Sequence, residues 1–242
     1  MKTLFITISI LFGTYFYYNQ TNTNFNSEKC EVKIVDASDY IKLKGEIGIV
    51  KIRKGKMSYS VTNKNHENFD FYINANYFDK KDIPLGEVRI NRQKITKKRN
   101  GGGFFTSNGT TPRIYFNDRP NNVLYSSQTH TAVIINGKFN NQLFNKGWAK
   151  KRLPRSIIGT NINGDMIIVH TRKDCRVSIH ELSVIAKKEG IVNGLMFDGG
   201  ASIEVGIKSG KKTYSYQIVS DINRLVNHVP TPKVFIVGNF IK

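Results

Sequence analysis

The residues of this chain best suited to chemistry are those of Met196-Phe197-Asp198-Gly199-Gly200-Ala201-Ser202. The apolar run 191–197 predicts a buried strand that ends by delivering the Asp198 carboxylate to a tight turn. Gly199 and Gly200 tolerate positive φ angles and leave room for a ligand beside the backbone. The turn therefore predicts a site that combines a carboxylate, a hydroxyl and backbone amides, and an ordinary Asp-Gly hairpin turn is the alternative.

Three further segments bring amides, glycines or cationic side chains close together in the sequence. The first places Asn74 and Asn76 at a strand end, where their amides either bind a ligand or only shape a turn. The last contains Arg155, whose planar guanidinium either holds two oxygens of an anion or serves as a surface or capping arginine. The segments are Ile73-Asn74-Ala75-Asn76-Tyr77-Phe78-Asp79, Gly101-Gly102-Gly103-Phe104-Phe105 with Ser107-Asn108-Gly109, and Lys150-Lys151-Arg152-Leu153-Pro154-Arg155-Ser156-Ile157-Ile158-Gly159.

Other side chains offer supporting roles. Trp148 either stacks on a sugar ring or packs in a partly buried position. His130 and His170 are candidate proton carriers, with a strand-edge role as the alternative for His170. Asp79 and Glu204 are candidate second carboxylates, and both rank below Asp198.

These segments lie at the ends of short β-branched or aromatic runs separated by Gly, Asn and Asp. Such runs are typical of strands, and Asn136-Gly137 and Asn163-Gly164 are good hairpin dipeptides. The sequence therefore predicts an α+β fold, a single domain with a large mixed or mostly antiparallel β-sheet core and a few helices. The strand runs are 31–35, 48–52, 57–61, 69–73, 114–116, 132–135, 157–159, 166–170, 191–197, 203–207 and 234–237.

One helix has clear end signals. Ser178 and Glu181 have capping-box spacing, and Gly190 suits the C-terminal end. A weaker helix is predicted at about 219–226, before the prolines of Val229-Pro230-Thr231-Pro232 impose extended backbone. The apolar face of the first helix consists of Ile179, Leu182, Ile185 and Ala186.

Charge is the unusual bulk property. The chain has 242 residues, enough for one large core, and a formal net charge of +19 at pH 7. Residues 80–99 carry eight Lys and Arg, and residues 146–155 carry five with no acid among them. This excess favours an anionic partner near the motif loops, and a solvated basic face is the alternative.

The N-terminal segment predicts export. Residues 4–18 form an apolar run of roughly 22 Å as a helix, shorter than the roughly 30 Å hydrocarbon core of a bilayer. Residues 1–18 therefore resemble a signal peptide or a signal anchor, which makes an N-terminal membrane anchor one of two alternatives. Residues 19–29 read as a polar tether before a domain at 30–242. Cys30 and Cys175 either pair in an oxidising compartment or remain two separate buried thiols.

Taken in order, the motifs resemble the phosphodiester glycosidase domain family over about residues 70–238. Ala75 and Asn76 stand where the family motif has two glycines, and Ala201 stands where it has a third. The matching segments are Asn74-Ala75-Asn76-Tyr77-Phe78 (Asn-Gly-Gly-Phe-Phe in the family), Pro84-Leu85-Gly86, Gly103-Phe104-Phe105 to Gly109, Pro154-Arg155-Ser156-Ile157-Ile158-Gly159 (Pro-Arg-Thr-Ala-Ile-Gly), Phe197-Asp198-Gly199-Gly200-Ala201-Ser202 (Leu-Asp-Gly-Gly-Gly-Ser) and His228-Val229-Pro230.

The resemblance implies hydrolysis of a sugar-1-phosphodiester at the anomeric carbon of a phosphorylated or otherwise anionic glycan. In that reading Asp198 is the nucleophile, base or oxocarbenium stabiliser, and Arg155 is the phosphate clamp. Because the second pKa of a phosphomonoester is about 6, the leaving group needs little protonation, so one carboxylate and an arginine can suffice. The expected substrate-binding residues are Asn74, Asn76, Gly199, Gly200, Ser202, His130 and Trp148.

A non-catalytic binder of anionic glycan or nucleic acid is the alternative function. The sequence has no basic recognition helix and no paired aromatic–basic RNA motif, which argues against nucleic acid. It contains no Cys-x-x-Cys pair and no recognisable cation-binding loop, so no metal ligand is predicted. The sequence leaves the identity of any cofactor and the oligomeric state open.

Overall fold

The fold is given by a computed structural model, which describes residues 16–17, 24–63, 65–79, 81, 83–173, 175–219 and 234–242. The helix predicted at about 219–226 and the Pro-rich segment at 229–232 lie outside these residues, apart from Val219, which ends a strand. Of the apolar N-terminal run, the described part is the strand Phe16–Tyr17, which pairs with Val219 and Ile218.

The described residues form 21 strands, three α-helices and three 3-10 helices. The strands are β1 (Phe16–Tyr17), β2 (Phe25–Asn26), β3 (Cys30–Asp36), β4 (Glu46–Ile52), β5 (Met57–Thr62), β6 (Phe71–Asn74), β7 (Tyr77–Phe78), β8 (Pro84–Leu85), β9 (Val88–Ile90), β10 (Gln93–Lys94), β11 (Gly103–Ser107), β12 (Pro112–Phe116), β13 (Tyr125–Thr129), β14 (Thr131–Ile135), β15 (Lys138–Phe139), β16 (Ser156–Thr160), β17 (Met166–Thr171), β18 (Asn193–Met196), β19 (Glu204–Ser209), β20 (Lys212–Val219) and β21 (Phe235–Phe240). The helices are α1 (Asn141–Phe144), α2 (Gly147–Lys150) and α3 (Ile179–Lys188), with 3-10 turns at Ala37–Asp39, His66–Asn68 and Gly200–Ser202.

The strands form four sheets. The largest has eight strands in the order β15-β14-β18-β16-β17-β4-β3-β2, and a second has six in the order β1-β20-β19-β6-β21-β5. A five-stranded sheet runs β10-β9-β13-β11-β12, and β7 pairs with β8. All pairings of the described strands are antiparallel. The predicted α+β domain with a mostly antiparallel core is confirmed.

The eight-stranded sheet separates two apolar clusters. Successive side chains of a strand point to opposite faces, so Ile158 faces one cluster and its neighbour Ile157 faces the other. The cluster around Ile158 lies against the six-stranded and five-stranded sheets, and the cluster around Ile157 lies under α3. The sheet therefore forms the middle layer of the molecule, with helices on one face and strands on the other.

The structure confirms the helix cap and the hairpin turn that the sequence predicts. The Ser178 hydroxyl accepts the Glu181 N–H and the Glu181 carboxylate accepts the Ser178 N–H, which is the predicted capping box. Gly190 follows α3 with a φ of +93°. Asn136-Gly137 joins β14 to β15, with both residues at positive φ, as a type I′ hairpin requires.

The two cysteines are separate buried thiols, so the pairing alternative is wrong. Cys30 begins β3 opposite Ile52, whereas Cys175 packs beside Gly45, next to the other end of the β3–β4 ladder. The six residues between these ends span roughly 20 Å, while a disulfide requires Cα atoms within about 7 Å.

Among the residues that the structure describes, no helix has the length and apolar character needed to cross a bilayer.

Candidate functional site

The site lies at one end of the eight-stranded sheet, where β14 and β16 begin and β18, which lies between them, ends. Met196 on β18 is the Cα partner of Thr131 on β14 and of Ile157 on β16. Asp198 follows Met196 by two residues, and Arg155 precedes Ile157 by two. The antiparallel register therefore brings Asp198 and Arg155 to the same end of the sheet, although they lie 43 positions apart in the sequence.

The Asp198 carboxylate is held by its own turn. The Gly199 N–H donates to Asp198 Oδ1 at 3.0 Å, and the Ser202 hydroxyl also hydrogen-bonds the carboxylate. Burial raises the pKa of Asp198 to about 6, because the charged form loses hydration that these two hydrogen bonds only partly replace. Asp198 is therefore mostly ionised at pH 7 but poorly solvated.

The two glycines have different physical roles. Gly199 has an extended φ of −116°, and a Cβ there would lie 2.6 Å from the Pro154 carbonyl oxygen. Gly200 adopts a φ of +64° in open space, and its N–H donates to the same Pro154 oxygen at 3.0 Å. The Asp198 turn thus packs directly on the backbone that carries Arg155.

Asn74 and Asn76 are fully buried, and both bind other parts of the protein. Asn74 Nδ2 donates to the Asp198 carbonyl oxygen at 2.9 Å, and Asn74 Oδ1 accepts the Glu204 N–H at 3.1 Å. Asn76 Nδ2 donates to the Gln128 carbonyl oxygen at 2.9 Å. These amides fix the loops around the site, and the geometry favours a positioning role over direct substrate contact.

Arg155 is buried, with its side chain directed between backbone carbonyls. Nε donates to Val177 O at 3.0 Å, and Nη2 donates to Lys151 O at 2.8 Å and Trp148 O at 3.4 Å. Nη1 faces the Met196 sulfur at 3.7 Å. All three guanidinium nitrogens are therefore directed at partners inside the protein, and the partner of Nη1, a thioether sulfur, is the weakest acceptor of them.

No carboxylate of the described residues pairs with the Arg155 guanidinium. Burial lowers the pKa of Arg155, and the Tyr77 phenol opposes that effect. Burial raises the pKa of Tyr77 to about 12. The negative charge of Asp198 adds to this rise, whereas Thr131 and the positive charge of Arg155 lower the pKa. The charges of Asp198 and Arg155 therefore both act on Tyr77, in opposite directions.

The sequence does not single out Tyr77 and Thr131, although both lie near the site. Tyr77 directly follows Asn76, and Thr131 is the Cα partner of Met196. The signal that identifies them is the long-range pairing of β14 with β18. Sequence spacing alone does not contain that pairing.

His130 and Trp148 lie at the rim. His130 is exposed, and desolvation of its ring, followed by the Arg99 charge, lowers its pKa. Trp148 is 48% exposed on α2, and its carbonyl oxygen is one of those that hold Arg155. Both are therefore exposed neighbours of residues of the site.

The lower-ranked candidates are occupied elsewhere. Glu204 Oε1 lies 2.7 Å from His66 Nε2, and Asp79 accepts two backbone N–H groups of its own turn. His170 is fully buried, its Nε2 is 2.7 Å from the Tyr214 hydroxyl, and burial lowers its pKa to about 3. Of the three acids considered, Asp198 is the one at the site.

The two basic runs reach the site from different sides. Arg99, at the end of the first run, donates its backbone N–H to Gln128 Oε1 at 2.9 Å, and its side chain lies near His130. In the second run, Lys151 supplies a carbonyl oxygen to Arg155. Among the described residues no group of three or more His, Cys, Asp or Glu side chains is arranged to hold a metal ion.

The family model described as phosphodiester glycosidase matches residues 67–230. This chain belongs to the phosphodiester glycosidase family. No curated protein sequence matches it.

Solved structures share the fold at low identity. The catalytic domain of zebrafish N-acetylglucosamine-1-phosphodiester α-N-acetylglucosaminidase, auto-inhibited by its pro-peptide, superposes with a TM-score of 0.59 and 13% identity, over 91% of this chain and 87% of that one. A hypothetical protein from Synechocystis gives 0.57 and 13%, over 89% and 63%. A Burkholderia pseudomallei protein described as exported gives 0.52 and 10%, over 81% and 74%.

Proposed function

We propose that this protein hydrolyses a glycosyl phosphodiester in an anionic glycan or glycoconjugate, breaking the bond between the anomeric carbon and the phosphate oxygen. The supporting observation is that Asp198 and Arg155 lie at the same end of the sheet on neighbouring strands, and neither forms an ion pair with a described residue. The family and the zebrafish relative, whose name includes such a diester, support the same reaction.

In this proposal Asp198 acts in its ionised form. With a pKa of about 6 it is mostly a carboxylate at pH 7, and its incomplete hydration makes the charge more available to a cationic transition state. It either attacks the anomeric carbon or takes a proton from the attacking water. The products are a sugar with a free anomeric hydroxyl and a phosphomonoester.

Arg155 would stabilise the departing phosphate. Its carbonyl partners hold the guanidinium in place, so little reorganisation is needed when negative charge develops. A phosphate with a second pKa of about 6 leaves without full protonation, so the site needs no second carboxylate as general acid. The Gly199 N–H and the Ser202 hydroxyl interact with the Asp198 carboxylate and so hold it in position for the reaction.

The surroundings support a large anionic substrate. Arg99 lies near the exposed His130, and the exposed Trp148 belongs to the lysine-rich run 146–151. A cationic rim raises the local concentration of a polyanion, and Trp148 offers a face for a sugar ring. The proposal includes export through residues 1–18, which the Burkholderia relative supports. Within the segment 19–29 that the sequence predicts as a tether, Phe25–Asn26 form strand β2 and Phe25 is buried.

The experiment is to incubate the protein with a panel of glycosyl phosphodiesters and measure reducing sugar and phosphomonoester. Wild type and Asp118→Asn should release both, because Asp118 is an exposed acid paired with Lys98. Asp198→Asn should lose most turnover while keeping the fold. Binding of anionic glycan without product would instead support the non-catalytic alternative, and equal activity of all three proteins would exclude Asp198 from catalysis.

A further inference from the structure

A groove lies between α1, α2 and the start of α3, on the helix side of the eight-stranded sheet. It encloses about 630 Å³, within the range of about 300–1,000 Å³ that is typical of small-molecule sites. Its walls come from three short stretches, 141–145, 149–152 and 178–181. The groove is open to solvent, and its walls combine amides, an aromatic ring and a cation.

The α1 wall carries two side-chain amides. Asn141 and Asn145 lie four positions apart on one helical turn, so their side chains share a face. Both residues are exposed, and neither side-chain amide hydrogen-bonds a residue that the structure describes. A carboxamide has two N–H donors and a carbonyl acceptor, so it can bind the neighbouring hydroxyls of a sugar at once.

Phe144 gives the groove an aromatic surface. Its ring lies at 69° to the His180 ring, with centroids 4.9 Å apart, and its centroid is 5.9 Å from that of Phe139. These two neighbours hold the ring in place. Phe144 is half-buried, and its exposed part lines the groove, where the apolar C–H groups of a sugar can pack on it.

Lys150 supplies the charge of the groove. Arg152 and Glu181 neutralise each other in an ion pair, with Nη2 to Oε1 at 2.6 Å and Nε to Oε2 at 3.2 Å. Of the Lys, Arg and Glu side chains that line the groove, all of them described, Lys150 is the one without an ion-pair partner. An exposed ammonium beside amides and an aromatic ring favours a sugar that carries a negative charge.

The groove shares a wall with the proposed catalytic site. Lys150 and Arg152 line the groove, while the carbonyl oxygens of Trp148 and Lys151, in the same segment, accept hydrogen bonds from Arg155 Nη2 at 3.4 and 2.8 Å. The segment 148–152 therefore contacts the buried Arg155 on one side and forms the groove on the other.

We propose that this groove is a subsite for an anionic sugar unit, either phosphorylated or carboxylated. The α1 amides bind the sugar hydroxyls, the Phe144 ring packs against the sugar, and Lys150 binds the anionic group. The inference rests on the proposed function for its substrate class, because it places a further unit of the anionic glycan beside the site. Binding in the groove is measured without any cleavage.

The test titrates nitrogen-15-labelled protein with glucose 6-phosphate, glucuronate and glucose and follows its NMR signals. The side-chain amide signals of Asn141 and Asn145 should shift to saturation, and both anionic sugars should bind more tightly than glucose. The tighter of the two anionic sugars identifies the charged group that the groove prefers.

Two variants separate the charge from the aromatic surface. Lys150→Ala should weaken both anionic sugars by about two- to fivefold and leave glucose unchanged, since it removes one exposed charge. Phe144→Leu should weaken all three sugars by about two- to tenfold. The control is Lys211→Ala, an exposed lysine in the turn between β19 and β20, which should match wild type.

The outcomes distinguish this proposal from the hydrolase proposal. If diesters are cleaved but no sugar shifts the signals of residues 141–145, or if Lys150→Ala binds the anionic sugars like wild type, the subsite is refuted and the hydrolase proposal survives. If no diester is cleaved but the variants show the expected pattern of binding, the subsite is supported without hydrolysis.

Discussion

Asp198→Asn should make the protein more stable while removing its activity. The pKa of Asp198 is about 6 in the folded protein against an ordinary value of 3.8, a difference of about two. At 1.36 kcal/mol for each pKa unit, the buried charge costs about 3 kcal/mol at pH 7. Asparagine has the same shape and its Oδ1 can still accept from Gly199 and Ser202, so the variant avoids that cost.

The pH dependence fixes the sign of this effect. Between about pH 4 and pH 6 the folded Asp198 holds a proton that the unfolded chain has released, so wild-type stability falls as the pH rises. Asp198→Asn lacks this loss. Its advantage should therefore be near zero at pH 4 and reach about 2–3 kcal/mol by pH 7.

Urea denaturation followed by circular dichroism at pH 4 to 8 measures this difference directly. Asp118→Asn is the control, because Asp118 is exposed, and its pKa is lowered by the Lys98 hydrogen bond, so its loss cannot stabilise the protein. An Asp198→Asn protein that is no more stable than wild type at pH 7, or whose advantage does not change with pH, would refute the burial argument.

Three further outcomes are expected. If Asp198 reacts as a carboxylate, kcat/KM should rise through an apparent pKa of about 6 and level off above it, and a profile that falls over this range would assign it as an acid instead. Gly199→Ala places a Cβ 2.6 Å from a backbone oxygen, so this variant should lose about 1–3 kcal/mol of stability and more than tenfold in kcat/KM. The control Gly210→Ala, at a φ of +62° in open space, should lose about 1–2 kcal/mol of stability and keep its activity. Equal kcat/KM values for the two variants would contradict the packing argument. Thiol titration of the unreduced, denatured protein should find both Cys30 and Cys175 free, and fewer than two thiols would show a bond that the fold does not allow.

The features predicted correctly from the sequence are those set by nearby residues. The Ser178–Glu181 capping box and the Asn136-Gly137 hairpin each depend on a few neighbouring residues, so their patterns are readable. The apolar runs 157–159 and 166–170 likewise lie within the buried strands β16 and β17, because β-branched side chains favour extended backbone. Asp198 could be selected because a buried strand ending in an acid and two glycines is a local signal.

The missing parts depend on contacts between distant segments. The effect of the Asp198 and Arg155 charges on the pKa of Tyr77 links three distant segments of the chain, and no spacing rule predicts it. Glu204 remained a candidate carboxylate because its partner His66 comes 138 residues earlier. The occupied donors of Arg155 are equally unpredictable, since their partners are backbone carbonyls that every residue carries.

The most direct test of the central claim is hydrolysis of a glycosyl phosphodiester in water enriched in oxygen-18. Attack at the anomeric carbon, with Asp198 as its carboxylate, places the heavy oxygen in the released sugar and leaves the phosphomonoester unlabelled. Label in the phosphate would show cleavage of the phosphorus–oxygen bond, and it would contradict the proposal that the Asp198 site cleaves the glycosidic bond.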